Sequence, residues 1–303
     1  MVGLPTDIVK HYVHTRGVRK GLKQWSKRAY LRKTTDHRGE NIFDSEWDVL
    51  VILDACRPDL LAAVSGEYNW INDIETVDSV GTATLHWMKQ TFPNADETTL
   101  KKTSYVCGNP FSGHLLDDSQ FVSLEEVWKW GWSDEEGTVP PRPVTDAAIS
   151  TARERNPDRL LVHYMQPHAP FLGSKQSPTL SLANFNGSGS RPLDDWELIE
   201  MGERTESEAW EDYKENLRQA LDDVELLREN VDAEKMIITA DHGNAVGEHG
   251  LYGHPGGVSI PALYEVPWCE TEATDSQAHE PEPIPTDTIE QDREGQLRAL
   301  GYV

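Results

Sequence analysis

The side chains best suited to chemistry in this sequence lie between residues 241 and 254. Asp241 and His242 follow the apolar run KMIITA, and Gly243 lets the chain turn directly after them. The segment contains six groups that could bind a metal ion or an anion: Asp241, His242, Glu248, His249, Tyr252 and His254. A carboxylate and an imidazole at the end of a strand form half of a typical divalent metal site. The alternative, a polar turn with solvated histidines, is less favoured because so many ligand groups lie close together.

A second carboxylate, Asp54, has the same placement at the end of an apolar run. It closes WDVLVILDA (residues 47–55), whose continuous β-branched and apolar residues are typical of a strand buried on both faces. The alternative role for Asp54 is the N-cap of a helix formed by the next segment, CRPDLLAAV. The two roles do not exclude each other, so Asp54 remains a candidate metal ligand.

The elements that must position these residues alternate along the chain. Buried strands are predicted at residues 47–55, 159–166 (RLLVHYMQ) and 235–243 (KMIITADHG). One helix opens at Thr145 and Asp146, and a second extends from Glu206 to Asn230 with apolar residues at intervals of three and four. SIPALYEVPW (259–268) contains two prolines and is predicted to be an edge strand or a bend.

Helices alternating with buried strands predict an α/β fold, with a doubly wound, mostly parallel sheet flanked by helices. In such sheets ligands bind beyond the carboxyl ends of the strands. Asp54, His168 and Asp241 each lie at or just after a predicted strand end. We therefore expect these three residues to share one site.

The charge of the chain divides it into two parts. The net charge is −24, but residues 1–40 carry ten Lys and Arg and a net +7, whereas residues 41–303 carry −31. We predict a basic N-terminal helical segment at 1–40, with its helix over 5–33, and one catalytic domain at 41–303 that includes an acidic linker (267–292) and a short terminal helix. Residues 41–303 are acidic enough to repel nucleic acid, which excludes it as a partner. The same charge indicates a halophilic protein, because high salt screens the repulsion between the protein's own carboxylates.

Two further expectations concern the environment of the protein. The basic segment 1–40 is predicted either to make a peripheral membrane or partner contact or to fold against the acidic body. Three widely spaced cysteines form no disulfide framework, and the sequence shows neither a membrane-spanning run nor a signal peptide. We expect a cytoplasmic protein or, as the alternative, one that associates with a membrane through residues 1–40. Its oligomeric state is left open.

Four segments in order resemble the sulfatase-like branch of the alkaline phosphatase superfamily, of a haloarchaeal type. DVLVILDACRPDL (48–60) resembles the first metal motif of sulfatases, and TADHGNAVGEHGLYGH (239–254) resembles the second over its full length. HYMQPHAPF (163–171) resembles the segment that supplies a substrate-side histidine, and the final QLRALGYV resembles sulfatase C-termini. The resemblance covers about residues 48–303 and implies a sulfatase-like or alkaline-phosphatase-like fold.

The sequence departs from the sulfatases proper at their nucleophile. Those enzymes convert the Cys or Ser of a C/S-x-P-x-R motif to formylglycine, whereas this chain has Cys56, Arg57 and Pro58 followed by Leu60 where Arg belongs. DSVGTATLHW (78–87) instead resembles the GTxT segment of lipid phosphoethanolamine transferases, in which the second Thr attacks phosphorus. This resemblance implies that Thr84 is the nucleophile, with Thr82 and Ser79 as alternatives. The other interpretation of the segment is that its Thr or Ser is a simple helix N-cap without a catalytic role.

Carried over residue by residue, the resemblance implies that Asp54, Thr84, Asp241 and His242 bind one divalent ion. His163 and His168 match an H-x-x-x-x-H segment, and His254 lies twelve residues after His242 as in those relatives. These histidines would bind the substrate or a second metal, and Arg57 and His249 would make further contacts with the substrate. The catalytic groups implied are Thr84, His168 and His254. His163 could also be a core histidine, because it alternates with apolar neighbours on a strand.

The implied cofactor is a divalent metal, with zinc or manganese favoured over calcium because Ala55 replaces the second Asp of sulfatases; Asn244 also replaces a frequent Glu. The function implied is a metal-dependent hydrolase or transferase that attacks phosphate or sulfate esters through a Thr nucleophile. Its substrate would be a small-molecule, glycan-linked or lipid-linked ester. The alternative is a non-catalytic sulfatase-like protein that keeps the metal site and acts through partner or membrane-surface binding.

Overall fold

The fold is described from a computed structural model, for residues 39–174, 194–285 and 293–300. The predicted basic helix at 5–33 lies outside these residues, as does nearly all of the 1–40 segment. The strands are β1 (Val49–Leu53), β2 (Glu75–Asp78), β3 (Thr103–Cys107), β4 (Ser123–Glu126), β5 (Arg159–Tyr164), β6 (Ala233–Thr239), β7 (Ala245–Val246), β8 (Tyr252–Gly253) and β9 (Glu265–Ala273). The α-helices are α1 (Pro58–Val64), α2 (Thr84–Thr91), α3 (Glu97–Leu100), α4 (Ser112–Leu115), α5 (Pro141–Arg155), α6 (Asp195–Met201), α7 (Glu206–Arg228), α8 (Pro261–Tyr264) and α9 (Arg293–Ala299).

The central sheet has seven strands in the order β2-β9-β6-β1-β5-β3-β4. Strands β6, β1, β5, β3 and β4 are parallel to one another, whereas β9 runs antiparallel to both β6 and β2. Every residue of β1 is buried, which explains its uninterrupted apolar sequence, VLVIL. The predicted mostly parallel α/β sheet is confirmed.

Successive β1 residues supply two different cores. Val49, Val51 and Leu53 pack with α1, α5 and α7, whereas Leu50 and Ile52 pack with α2 on the opposite face. Helices therefore cover both faces of the sheet, as the doubly wound prediction requires. Among the described residues no helix has the length and apolar character needed to cross a bilayer.

Strand β9 differs from its predicted position at the sheet edge. It lies between β6 and β2. Its proline, Pro267, pairs with Thr76 of β2. The pairing of β9 with β6 runs from Ala273 to Cys269 and stops before Pro267. The proline can therefore lack an N–H without losing a hydrogen bond to β6. Because β9 has a neighbour on each side, the edge-strand alternative was wrong, whereas the short helix α8 (Pro261–Tyr264) turns the chain just before β9.

Two helix boundaries depend on capping. Helix α5 begins at Pro141 rather than at Thr145, because proline at the first helical position lacks only an N–H that would have had no partner within the helix. Helix α7 begins after a capping box in which Thr205 and Glu208 satisfy each other's backbone N–H groups. The predicted amphipathic helix at 206–230 is confirmed to within two residues.

Candidate metal and nucleophile site

Asp54 and Asp241 meet at the carboxyl end of the sheet because they follow the parallel neighbours β1 and β6. Asp241 Oδ1 accepts hydrogen bonds from the backbone N–H groups of Ala55, at 3.0 Å, and His242, at 2.9 Å. Asp241 Oδ2 is buried and has no hydrogen-bond partner among the described residues. One oxygen is thus fixed by backbone, and the other is presented to the site.

The turn after Asp54 depends on an unusual backbone conformation. Ala55 has a φ of 63°, in the left-handed region that costs a residue with a side chain about 1–3 kcal/mol. Its N–H faces Asp241, and its carbonyl accepts a hydrogen bond from the buried Tyr213 hydroxyl of α7. The N-cap of α1 is Arg57, so the alternative role of Asp54 as that N-cap was wrong.

His163 completes a compact group of ligand atoms with the two carboxylates. Its Nε2 lies 4.0 Å from Asp54 Oδ2 and 4.0 Å from Asp241 Oδ2, and one ligand atom from each residue falls within 4.8 Å of the others. The ring also packs edge-to-face on Trp87, with centroids 5.6 Å apart. Both sequence interpretations of His163 therefore describe part of its environment: an apolar ring and a polar nitrogen facing two carboxylates.

His242 lies on the other side of the carboxylates. Its Nε2 is 3.5 Å from Asp54 Oδ1 and 3.5 Å from Asp241 Oδ2. Its Nδ1 is 2.7 Å from the Gly243 carbonyl, which can only accept a hydrogen bond, so Nδ1 carries the proton and Nε2 presents its lone pair. Gly243 is required less for a turn than for close packing, because a Cβ there would lie 2.4 Å from the Ala262 carbonyl oxygen.

Thr84 is buried at the first residue of α2, beside both carboxylate and imidazole. Its Oγ1 lies 3.3 Å from Asp54 Oδ2 and 3.3 Å from His242 Nε2. The N-cap of α2 is Ala83, without a side-chain cap bond, so the simple N-cap interpretation of Thr84 was wrong. Gly81 lets the segment before α2 pack closely against Trp87, because a Cβ at Gly81 would lie 2.5 Å from Trp87 Cβ.

The alternative hydroxyls occupy different surroundings. Ser79 Oγ donates a hydrogen bond to the Asp241 backbone carbonyl and accepts one from Gly81 N–H at 3.2 Å. Thr82 is buried nearby. The Thr84 side chain contacts both Asp54 and His242, so the geometry favours it among these hydroxyls.

A row of three imidazoles leads away from the carboxylates. The His168 and His254 Nε2 atoms are 2.8 Å apart, and the His254 and His242 ring centroids are 4.7 Å apart. His168 Nδ1–H donates to the Ala169 carbonyl, so in the neutral ring His168 Nε2 accepts a hydrogen bond from His254 Nε2–H. Burial lowers the pKa of His163 and His168 to about 4 and that of His254 well below its ordinary value, which keeps these rings neutral.

These residues fit a divalent cation. Two buried carboxylates face the imidazoles of His163 and His242, and the cation would supply the partner that Asp241 Oδ2 and His163 Nε2 lack among the described residues. The structure brings together Asp54, Thr84, Asp241 and His242 and places His163 beside them. Their binding of one metal ion remains a prediction.

Arg57 and His249 lie apart from this cluster. Arg57 binds Asp59, the Glu248 carboxylate at 2.6 Å and the Asn244 carbonyl at 2.7 Å, so its guanidinium joins the first metal motif to the second. His249 is exposed on the adjoining turn with a φ of 53°. Their predicted substrate contacts remain predictions.

Asn109 is a site residue that the sequence analysis missed. Its Nδ2 donates to Asp54 Oδ2 at 2.9 Å, and its Oδ1 accepts from Phe111 N–H at 3.0 Å. It lies two residues beyond β3, a strand whose sequence, TSYVC, begins with two polar residues and gave no apolar signal. Once β3 is known, the rule that ligands gather beyond strand ends identifies Asn109.

No protein-family model matches the sequence, and no curated protein matches it. Solved structures of similar fold include the soluble domain of lipooligosaccharide phosphoethanolamine transferase A from Neisseria meningitidis, with 14% identity, a TM-score of 0.48, and coverage of 80% of this chain and 81% of that one. A putative sulfatase from Bacteroides thetaiotaomicron has 11% identity and a TM-score of 0.47, covering 84% and 70%. Phosphoglycerol transferase GacH from Streptococcus pyogenes, in complex with sn-glycerol-1-phosphate, has 11% identity and a TM-score of 0.42, covering 89% and 76%.

These structures are similar to the chain in fold. At identities of 11–14%, the roles of individual residues have to be judged from the geometry of this site.

Proposed function

We propose that this protein is a metal-dependent enzyme that hydrolyses or transfers phosphate or sulfate esters by attack of Thr84. The observation that carries the proposal is the position of the Thr84 hydroxyl, 3.3 Å from both Asp54 Oδ2 and His242 Nε2 in a buried cluster of metal-ligand groups. A threonine hydroxyl is a weak nucleophile unless an adjacent base or a metal promotes loss of its proton. Beside Thr84, Asp54 and His242 would act as the base or hold the metal.

Asp54, Asp241, His242 and His163 would hold the ion. When bound, a divalent ion lowers the pKa of a neighbouring hydroxyl and balances the negative charge that develops on the ester. Asp54 Oδ2 accepts the Thr84 hydroxyl hydrogen bond and so directs an oxygen lone pair away from the carboxylate. Asn109 donates to the same Asp54 oxygen and holds the carboxylate in place.

The start of α2 and the histidine row would bind the ester. Thr84 is the first residue of an eight-residue helix, and the N-terminal end of a helix dipole favours an anionic group. His168 and His254 are neutral, and their Nε2 atoms lie 2.8 Å apart, so an ester would bind there by replacing this mutual hydrogen bond with one to its leaving group, without adding a charge. Asn216 of α7 donates to the Pro167 and His168 carbonyls, at 3.1 Å and 3.0 Å, and fixes the loop that carries His168.

Hydrolysis and transfer share the attack of Thr84 and differ in whether water or an alcohol resolves the intermediate. The proposed substrates are small-molecule, glycan-linked or lipid-linked esters. Zinc and manganese are the proposed metals, because the donor set includes two imidazoles, whereas calcium favours oxygen donors alone.

The test is turnover of nitrophenyl phosphate, phosphonate and sulfate esters with zinc, manganese or calcium, in the wild type and in Thr84→Ala. We expect Thr84→Ala to lower kcat by several powers of ten, because it removes a covalent nucleophile, while metal binding is partly retained. Thr82→Ala is the matched control, since it removes a buried hydroxyl two residues away. A slow substrate should leave a phospho- or sulfo-group on a peptide containing Thr84, detected by mass spectrometry.

Three results would contradict the proposal. Full activity in Thr84→Ala would exclude Thr84 as the nucleophile, and formylglycine at Cys56 would assign the chemistry to that residue. Absence of turnover across the panel, with metal bound, would favour the non-catalytic alternative.

A further inference from the structure

Behind His163, away from the carboxylates, lies a chain of buried polar groups that the proposed chemistry does not use. The Tyr105 hydroxyl lies 2.9 Å from His163 Nδ1. Tyr105 and Cys107 are two residues apart on β3 and therefore project from the same face of the sheet. Cys107 pairs directly with His163 across β3 and β5, and all three side chains are fully buried.

We propose that Tyr105 is a positioning residue that holds His163 with its Nε2 lone pair toward Asp54 and Asp241, so that His163 serves as a metal ligand. This inference rests on the metal site of the proposed function. Tyr105 would act through His163 and would not itself touch the metal or the substrate.

The direction of the hydrogen bonds carries the inference. A neutral imidazole has one N–H, and the nitrogen that binds a metal must be the other one. The Tyr105 oxygen can accept a hydrogen bond from His163 Nδ1–H if its own proton has a different acceptor. The Cys107 side chain, buried on the same face of β3, offers its sulfur for that role. In the proposed arrangement His163 Nδ1–H donates to Tyr105, and the Tyr105 O–H is directed toward Cys107.

The opposite direction leaves a buried donor without a hydrogen bond. If Tyr105 donated to Nδ1, the His163 proton would reside on Nε2, which lies 4.0 Å from both nearest carboxylate oxygens and has no hydrogen-bond partner among the described residues. A separation of 4.0 Å is too long for a hydrogen bond. With a cation between the carboxylates, an N–H at this position would also point at a positive charge.

The series of buried polar groups continues from Cys107 to Asn109 and Asp54. The Cys107 S–H faces the Asn109 carbonyl at 3.5 Å, and the Asn109 N–H faces the sulfur at 3.4 Å. Burial raises the pKa of the Cys107 thiol to about 12, so the sulfur keeps its proton. Because Asn109 in turn donates to Asp54, strand β3 positions two ligands while contributing none itself.

The experiment compares Tyr105→Phe with Tyr164→Phe in the full chain. Tyr164 is the matched control, because it is also a buried tyrosine of the central sheet, and its hydroxyl makes one side-chain hydrogen bond, to Thr145 at 2.8 Å. Dissociation constants for Zn²⁺ and Mn²⁺ are measured by chelator competition at a fixed pH. Loss of a group that orients a metal-binding histidine typically weakens affinity about 10–100-fold. We expect that loss in Tyr105→Phe and a change within about twofold in Tyr164→Phe.

A second readout separates orientation from general destabilisation. In protein labelled with ¹⁵N-histidine, the signals absent from His163→Gln identify His163, and their shifts report which nitrogen carries the proton. We expect a protonated Nδ1 and a metal-bound Nε2 in the zinc-loaded wild type. A proton on Nε2 in that sample, or equal metal affinities in Tyr105→Phe and Tyr164→Phe, would overturn the positioning role.

The positioning role and the proposed function can fail separately. Metal affinity that falls in Tyr105→Phe, in a protein without ester turnover, would support the positioning role and contradict the enzymatic proposal. Thr84-dependent turnover together with unchanged metal affinity in Tyr105→Phe would do the reverse. A wild type that binds neither metal would overturn the positioning role and the metal-dependent function together.

Discussion

Asp241 has two separable tasks, and substitution by Asn or Ala should distinguish them. Its Oδ1 accepts two backbone N–H groups, and its Oδ2 faces Asp54, His163 and His242. Asn keeps an acceptor for the two N–H groups but loses the carboxylate charge and places either an amide oxygen or an amide nitrogen at Oδ2. Ala removes both. We expect both variants to lose most bound metal, and only the Ala variant to lose much stability.

The magnitude follows from the two backbone donors. Each buried N–H left without a partner costs about 1–3 kcal/mol. Asp241→Ala should therefore lower the free energy of unfolding of the metal-free protein by about 2–6 kcal/mol. Asp241→Asn should lose little, because it keeps both bonds and removes one of two negative charges that face each other across the site.

The assay combines metal analysis by mass spectrometry after gel filtration with urea denaturation of the metal-free proteins. Stoichiometric metal retained by both variants would refute the site assignment. Equal unfolding free energies for the Asn and Ala variants would refute the argument that Asp241 Oδ1 holds the turn at Ala55. The two conclusions are independent, since one rests on Oδ2 and the other on Oδ1.

The remaining predictions concern charge. Residues 41–303 carry a net −31, so the melting temperature should be higher in molar KCl than in dilute buffer, because salt screens like-charge repulsion; equal or lower stability in KCl would contradict the halophilic interpretation. Deleting residues 1–38, which carry most of the basic segment, should leave turnover of small esters intact and weaken binding to anionic liposomes at moderate salt. If the truncated protein fails to fold, the segment is structural, and the predicted membrane contact loses its basis.

The central strands could be predicted because their sequences follow from burial on both faces. Strands β1, β5 and β6 lie next to one another in the middle of the sheet, and each appears as an apolar run. Strands β2 and β4 have the sequences ETVD and SLEE and are only partly buried. Their pairing depends on neighbours distant in sequence, so composition alone does not identify them.

The candidate site was predictable to the same extent as its strands. Asp54 and Asp241 follow visible strands, and strand-end placement was sufficient to bring them together. The role of Ala55 was not predictable, because its left-handed conformation is fixed by Asp241 and by Tyr213 of α7. Asn109 follows β3 and was missed together with that strand.

The position of His163 shows why register matters more than composition at this site. It pairs with Ile52 of β1, two residues before Asp54, and therefore lies within the strand rather than beyond its end. Adjacent strands are about 4.8 Å apart, so a side chain from β5 reaches carboxylates that follow β1 and β6 only if it projects from the correct face. A slip of one residue would turn His163 toward the α5 and α7 core and leave a neighbour, Val162 or Tyr164, near the carboxylates. The pairing of Cys107 with His163 excludes that slip from the β3 side, while the pairing of Leu53 with Tyr164 excludes it from the β1 side. The ligand set is therefore a property of three aligned strands, and a motif search along the chain recovers its members without their arrangement.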